Sequence, residues 1–339
     1  MSENPQPSDH VGDIEVDDDV FSESDSAFQG SIGDASYTSS ISSSVRNYKY
    51  ENGRRYHAFK EGSHLLPNDE SEQARMDLAH HIYLMITGGK LHLSPISNPQ
   101  RVLDLGTGTG IWAIDFADEY PNAHILGSSQ PEYTNPKIGH ENRVPPNLQF
   151  EVDDFESEWS YSQKFDFIHG REMEGMVQDF DRLFKQTYQN LTPGGWAEFS
   201  SIELNTFCDD ETRQKAAVWT RWSENLHRAA CTFGKNMRTV RTWEDRLRAV
   251  GFRNVQSAVF PLPFSPWPKD PKLKALGRYQ QLHMFEGIPS YSLRLYTSVL
   301  NWPKDKVEAL LAEVQNILKD RSCHLYTLVH FVYGQKPDE

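Results

Sequence analysis

Val102-Leu103-Asp104-Leu105-Gly106-Thr107-Gly108-Thr109-Gly110-Ile111-Trp112 is the stretch whose reading decides the fold. Arg101 to Leu105 reads as a short buried strand. The alternating glycines form a tight turn, because glycine reaches positive φ and lets a ligand approach the backbone. Ile111 to Tyr120 reads as a helix that Pro121 stops. The N-terminus of such a helix presents unpaired N–H groups to the polar end of a nucleotide-like ligand.

The same alternation of short apolar runs and helices continues downstream. Ala123 to Gly127 reads as a second strand, Leu148 to Val152 as a third, and Phe165 to His169 as a fourth. Phe180 to Asn190 is a helix leading to the turn Leu191-Thr192-Pro193-Gly194-Gly195, and Trp196 to Phe199 is a fifth strand. Alternating strands and helices imply an α/β fold with a mostly parallel, doubly wound sheet. Val255 to Leu262 and Leu325 to Tyr333 add two more strands, separated by an amphipathic helix over Lys304 to Lys319. The expected sheet therefore has seven strands. Thr212 to Cys231 and Trp243 to Val250 are helical, giving a helical insertion at about 205–250.

Upstream, Asn68 or Asp69 can cap a helix carrying Met76, Ala79, Tyr83 and Ile86 at helical spacing, which Gly88-Gly89 ends. Residues 46–98 are read as a helical N-terminal extension or lid, and 99–339 as the main domain. Residues 1–45 hold ten acidic side chains and no Lys or Arg, are rich in Ser, and are read as a disordered tail. The net charge is −14, yet the body beyond that tail has 38 acids against 34 bases. No positive excess exists to neutralise phosphates, so direct nucleic-acid binding is not expected. No run of about 18 apolar residues occurs, so no membrane insertion is expected. The N-terminus lacks the basic start and apolar stretch of a secretory signal. Cys208, Cys231 and Cys323 form no CxxC pair, so neither a zinc site nor a disulfide framework is expected, and a reducing intracellular compartment is the simplest reading.

The glycine turn discriminates among cofactors. A dinucleotide fingerprint spaces its glycines G-x-G-x-x-G, whereas Gly106, Gly108 and Gly110 give G-x-G-x-G. A P-loop needs Gly-Lys-Ser/Thr, which is absent. The remaining reading is S-adenosylmethionine (SAM). Asp104, at the end of its strand, can order the turn or meet the ligand's ammonium group.

At this point the residues carry a resemblance. Glu51-Asn52-Gly53-Arg54-Arg55-Tyr56-His57, Leu66-Pro67-Asn68-Asp69-Glu70, His80-His81, Asp104 to Trp112, Pro145-Pro146-Asn147, Asp153-Asp154, Ile168-His169-Gly170-Arg171 and Pro193-Gly194-Gly195-Trp196 resemble the fungal LaeA-like methyltransferases. This is the velvet-associated regulator group, including the velvet-interacting Vip/Vap-type enzymes. The resemblance spans about residues 46–200. It implies a class I, Rossmann-like, SAM-dependent methyltransferase that regulates development and secondary metabolism in a protein complex. It further implies velvet-domain, related methyltransferase or membrane-tethering partners, and residence in nucleus and cytoplasm. A degenerate scaffold and a biosynthetic small-molecule O- or N-methyltransferase are the alternatives.

One departure bears on the cofactor. The family carries a ribose-binding Asp after the second strand, where this chain has Gly127-Ser128-Ser129-Gln130. Ser129 stands in the acid's place; Ser129 or Gln130 can bond ribose, but without charge assistance. The resemblance places Asp153 or Asp154 at the adenine amino group with Phe155 beside the ring; a helix N-cap is the competing role for the acid pair. The cofactor set is thus Asp104, Gly106, Thr107, Gly108, Gly110, Ser129, Gln130, Asp153, Asp154, Phe155 and His169. His169 can contact SAM, act as a base, or be a satisfied histidine of a packed loop. Arg171 can bind a carboxylate or pair with Glu172 or Glu174. No catalytic signature is expected, since SAM carries its own activated leaving group and the protein mainly aligns the reactants. His80-His81 lack metal-ligand spacing, so no metal is assigned.

Overall fold

The computed structural model describes residues 14–17, 48–57, 66–129 and 144–338, the side chains of residues 48, 49, 57 and 129 excepted. Nine strands and seven α-helices appear among them. A hairpin, β1 (Tyr48–Glu51) and β2 (Arg54–His57), precedes helix α1 (Glu70–Thr87). Asp69 caps α1 through the Glu72 N–H, and Gly88 closes it in the left-handed conformation at φ 69°. Both ends follow from residue chemistry: a carboxylate accepts an orphan N–H, and glycine tolerates the terminal turn.

The sheet comprises β3 (Arg101–Leu105), β4 (His124–Ser129), β5 (Leu148–Val152), β6 (Phe165–Arg171), β7 (Leu191–Ile202), β8 (Arg253–Pro263) and β9 (Tyr326–Gln335). Its order is β5-β4-β3-β6-β7-β9-β8. β9 pairs antiparallel with both β7 and β8, while β3 to β7 pair in parallel. Strand order reverses at β3, which has β4 on one side and β6 on the other. Open α/β sheets bind ligands outside the carboxyl ends of the strands at such a point.

The expected turn at Leu191–Gly195 lies inside β7. Leu191 pairs with Phe165 and Trp196 with Phe167, so the strand bulges between these pairs, with Gly194 at φ 75°. The glycines do not form a separate turn between helix and strand; they absorb extra residues within one strand.

Alternation along the strands sorts the core into two faces. Leu103, Leu105, Ile168 and Phe199 pack with Phe180, Leu183 and Phe184 of α3 (Phe180–Asn190) and with Trp243 and Leu247. On the other face Val102, Ile125 and Phe167 pack on Trp112 and Phe116 of α2 (Ile111–Glu119).

A separate helical layer surrounds a third apolar cluster. It contains α4 (Ala217–Cys231), α6 (Pro271–Arg294), a π turn at Leu295–Val299 and α7 (Lys304–Lys319), with α5 (Trp243–Val250) lying against the sheet. In α7, Val307, Leu310, Leu311, Val314 and Leu318 are buried, each contributing roughly 1.5–3 kcal/mol relative to exposure. The insertion expected at about 205–250 is therefore only the first part of this layer. Sequence periodicity missed α6 because Gln280, His283, Ser290, Ser292 and Arg294 are buried in it, so no clean apolar stripe exists.

Two N-terminal expectations are corrected. The extension is a hairpin plus a helix rather than helical throughout. Within the tail read as disordered, residues 14–17 are placed: Val16 bridges Pro268, Lys269 N–H donates to Glu15 O, and Asp17 pairs with Lys274. Ile14 and Val16 pack on a cluster of Trp267, Tyr326 and Leu328. Their spacing of two puts both on one side of an extended segment, which gives this short piece an apolar face that tail-wide composition conceals. The rest of 1–45 lies outside the described residues. No helix among the described residues is long and apolar enough to cross a membrane.

Candidate functional site: a cavity over the glycine turn

β3 and β6 are parallel neighbours with Asp104 opposite His169. Register partners in adjacent strands point to the same face, so the two side chains meet. His169 Nδ1 lies 2.8 Å from Asp104 Oδ1, and both residues are buried. The carboxylate accepts, so Nδ1 carries the proton. Burial pulls the His169 pKa below its ordinary value, against the pull of Asp104. The ring is neutral at pH 7. Trp112 stacks on it at 3.7 Å between centroids and 8° between planes. The indole N–H donates to Leu91 O at 2.9 Å, which fixes the stack.

The turn itself holds three left-handed glycines: Gly106 at φ 66°, Gly108 at 58° and Gly110 at 82°. Thr107 N–H bonds Ser128 O at 3.0 Å, tying the turn to β4. A Cβ on Gly110 would lie 2.7 Å from Phe150 Cζ. Above the turn a cavity of about 160 Å³ opens, lined by Asp104 to Thr109, Ile111, Trp112, Phe155, His169 and Arg171. Helix α1 supplies Arg75, Met76 and Ala79, and the segment after β6 supplies Glu172 to Met176. Leu226, Met237, Tyr291 and Leu295 close it from the helical layer.

Arg171 continues the Phe167–His169 face and is held by α1. Its Nη1 is 3.0 Å from His80 Nδ1, and its guanidinium lies over the Tyr83 ring at 5.0 Å. His80 Nε2 in turn meets Asp115 at 2.9 Å, so this histidine locks α1 to α2. Pairing of Arg171 with Glu172 or Glu174 gives way to other partners. Glu172 accepts from the Tyr83 hydroxyl and from Ile202 N–H, and Glu174 accepts from Thr239 and Val240 N–H. Glu172 adopts φ 57°, a left-handed conformation costing a non-glycine residue roughly 1–3 kcal/mol. Its bonds and its own N–H to Ser200 O at 2.8 Å hold it there.

Of the residues read from sequence, Asp104, Gly106, Thr107, Gly108, Phe155, His169 and Arg171 line the cavity. Gly110 sits beneath it as the α2 N-cap. Asp153 and Asp154 are not among the described lining residues. Asp154 Oδ1 accepts from Glu156 N–H at 3.1 Å and Asp153 Oδ1 from Asp154 N–H at 2.8 Å, which is the turn-capping role. The side chain of Ser129, and Gln130 with the following segment to residue 143, lie outside the described residues; the Ser129 backbone pairs with Val152. Arg54 and Arg55 of the hairpin bind Asp69, Asn68 and Glu70 around the start of α1 rather than the cavity. Arg238, Arg241, Arg246 and Arg248 each carry an ion pair, to Glu224, Glu203, Asp181 and Glu244.

Sequence reasoning missed Glu172 and Glu174 as cavity residues, and Leu226, Met237 and Tyr291 altogether. The first two were visible only as acids near Arg171. The other three come from distant segments, and no local pattern marks them.

The cavity suits SAM. Gly106 faces it with room for a close approach: an added Cβ would touch Phe155 at 3.7 Å and the Met173 sulfur at 3.8 Å. Thr107 Oγ1 is buried without a partner, a hydroxyl available to a bound molecule. The turn's N–H groups and the α2 N-terminus would receive the polar end, Phe155 and Trp112 would flank apolar parts, and Asp104 would hold charge nearby. SAM supplies a methyl group on a sulfonium leaving group.

A model of the methyltransferase domain family matches residues 68–257, and the chain belongs to that family of SAM-dependent methyltransferases. Within it, the chain is one of the LaeA-like methyltransferases. It is 35% identical to the secondary metabolism regulator LAE1 of Cochliobolus heterostrophus over 312 residues, 87% of this chain and 97% of that protein. It is 31% identical to the protein-methionine methyltransferase laeA of Emericella nidulans over 299 residues, covering 87% and 78%. It is 34% identical to the methyltransferase pytC of Aspergillus terreus over 308 residues, covering 91% and 94%.

Proposed function

We propose that the protein is a SAM-dependent methyltransferase that regulates development and secondary metabolism as part of a protein complex. The observation carrying the reading is the cavity at the carboxyl edge of β3 and β6, where the three-glycine turn faces the Asp104–His169–Trp112 wall. Velvet-domain proteins, related methyltransferases or a membrane-tethering protein are the partners in this reading, with residence in nucleus and cytoplasm. The name of the LAE1 relative, a secondary metabolism regulator, supports the regulatory part. Titration calorimetry with SAM tests the enzyme: saturable binding is expected, and no heat at millimolar SAM with folded protein would overturn it. Affinity capture tests the complex, with co-purification of a velvet-domain protein or a second methyltransferase expected.

A second reading, a small-molecule methyltransferase of a biosynthetic pathway, is favoured by the end-to-end match to pytC. Labelled SAM added to a metabolite extract separates the two, since a labelled metabolite without labelled protein supports the second.

A further inference from the structure

A second cavity, of about 110 Å³, adjoins the first. Glu172, Glu174, Leu226, Met237 and Tyr291 line both. We propose that this second cavity is the methyl-acceptor chamber, that it takes a small, planar molecule bearing a hydroxyl group and no negative charge, and that Glu174 at the junction receives the hydroxyl proton. The inference rests on the SAM-dependent methyltransferase reading and adds the class of acceptor.

One wall is aromatic. Trp219, Trp222 and Phe264 line the chamber, with Trp219 and Phe264 ring centroids 4.5 Å apart. The volume is of the order of apolar cavities that hold a single benzene ring. It suits a ring system better than a folded peptide segment.

The chamber's polar residues are under-satisfied. Arg75 can only donate, so His283 Nε2, 2.5 Å from Arg75 Nη1, is the acceptor nitrogen. His283 Nδ1 therefore carries the proton and donates to Gln280 Oε1 at 3.2 Å. Gln280 is fully buried and its Nε2 has no partner. Ser201 Oγ is buried without a partner as well. Glu174 uses Oε1 for the Thr239 and Val240 N–H groups, and its Oε2 is buried without a partner. Unpaired buried donors and acceptors destabilise a fold until something meets them. A hydroxylated molecule offers an oxygen to Gln280 and an O–H to Glu174.

Charge excludes an anionic occupant: Glu172, Glu174 and Glu203 line the chamber, whereas Arg75 and Arg171 line only the first cavity. Around Glu174 stand Glu172 and Arg171 from the β6 end, Glu203 beyond β7, Arg75 from α1, and His283 and Tyr291 from α6. Burial pushes the Glu174 carboxyl up to about 7, close to the value that suits a proton acceptor at neutral pH. In the transfer, the acceptor oxygen forms a bond to the methyl carbon as the carbon–sulfur bond of SAM breaks. S-adenosylhomocysteine leaves, and the hydroxyl proton passes to Glu174 and then to solvent.

The test uses the full chain with phenol as probe and toluene as the hydroxyl-free control. Calorimetry in the presence of S-adenosylhomocysteine should show saturable phenol binding, at least tenfold tighter than toluene. Gln280→Leu should weaken phenol binding about tenfold, and Leu226→Trp, which fills the junction, should abolish it. With labelled SAM, labelled anisole should form at a rate that rises with pH through about 7. Glu174→Gln should cut that rate about a hundredfold or more and remove the pH limb, while phenol still binds. A cooperative thermal unfolding transition reports that each variant is folded. With SAM bound normally, phenol binding no better than toluene, an unaffected Gln280→Leu variant, or label appearing only in protein would overturn the acceptor assignment. Failure of the wild type to bind SAM would instead overturn the methyltransferase reading beneath it.

Discussion

His169 Nδ1 sits 2.8 Å from Asp104 Oδ1 because the two residues are register partners across parallel strands β3 and β6. One carboxylate thus orients the imidazole that Trp112 covers, and the floor of the cofactor cavity is set by strand register. Asp104→Ala leaves a buried N–H without an acceptor. We expect a loss of roughly 1–3 kcal/mol in stability and at least a tenfold loss in SAM affinity. Urea denaturation and calorimetry measure these, and Asp104→Asn, which keeps an acceptor, should recover much of the stability. A wild-type-like Asp104→Ala would show that the pair does not organise the site.

Gly110→Ala tests the turn. The residue has φ 82°, and a Cβ would press on Phe150 at 2.7 Å. Strain alone is worth about 1–3 kcal/mol. Both the thermal midpoint and SAM binding should fall, and unchanged values for either would contradict the geometry.

Glu198 predicts a pH dependence of stability. It is buried, accepts from Leu93 and Ser94 N–H, and burial raises its pKa from 4.5 to about 7. The folded state therefore holds this proton at pH values where the unfolded chain has released it. The stabilising contribution is present in full below about 4.5 and is lost as pH rises to about 7. The stability difference between wild type and Glu198→Gln should fall with rising pH in that window, by on the order of 1 kcal/mol per unit. A flat difference across the window would refute the raised pKa.

The docked residues 14–17 make a further prediction. Val16→Asp places a charge beside Trp267, Tyr326 and Leu328. The cost should be about 1 kcal/mol, read in denaturant titrations, with a red shift of tryptophan emission as Trp267 gains water. Identical curves for the two proteins would mean that this segment adds nothing to stability.

Where structure followed local chemistry, the sequence was legible. Asp69 and Gly88 cap α1, Lys304 and Lys319 bound α7, and the apolar runs before Gly106 and around Phe167 are strands. Each signal is short-range: a cap, a period or a breaker. Elements stabilised by burial of polar groups were not legible. Helix α6 carries Gln280, His283 and Arg294 inward, and only Arg75 from α1 and the neighbouring helices make that tolerable. The acid pair Asp153-Asp154 reads equally as a helix N-cap and a ligand contact; no helix starts there, and the carboxylates instead accept from the Asp154 and Glu156 N–H groups of a turn.

The sequence by itself determined the class of the protein. An acid-ending strand, three alternating glycines and a helix start within a dozen residues, and backbone sterics leave that combination few structures. Only the tertiary structure decided what stands opposite the turn. Glu174, Leu226 and the α6 pair Gln280 and Tyr291 belong to three segments far apart in the chain, brought together by the packing of α4 and α6 over the sheet. Which polar groups end up buried without partners is a property of that packing. No residue declares it alone, because a hydrogen bond left unmade is defined by every neighbour at once.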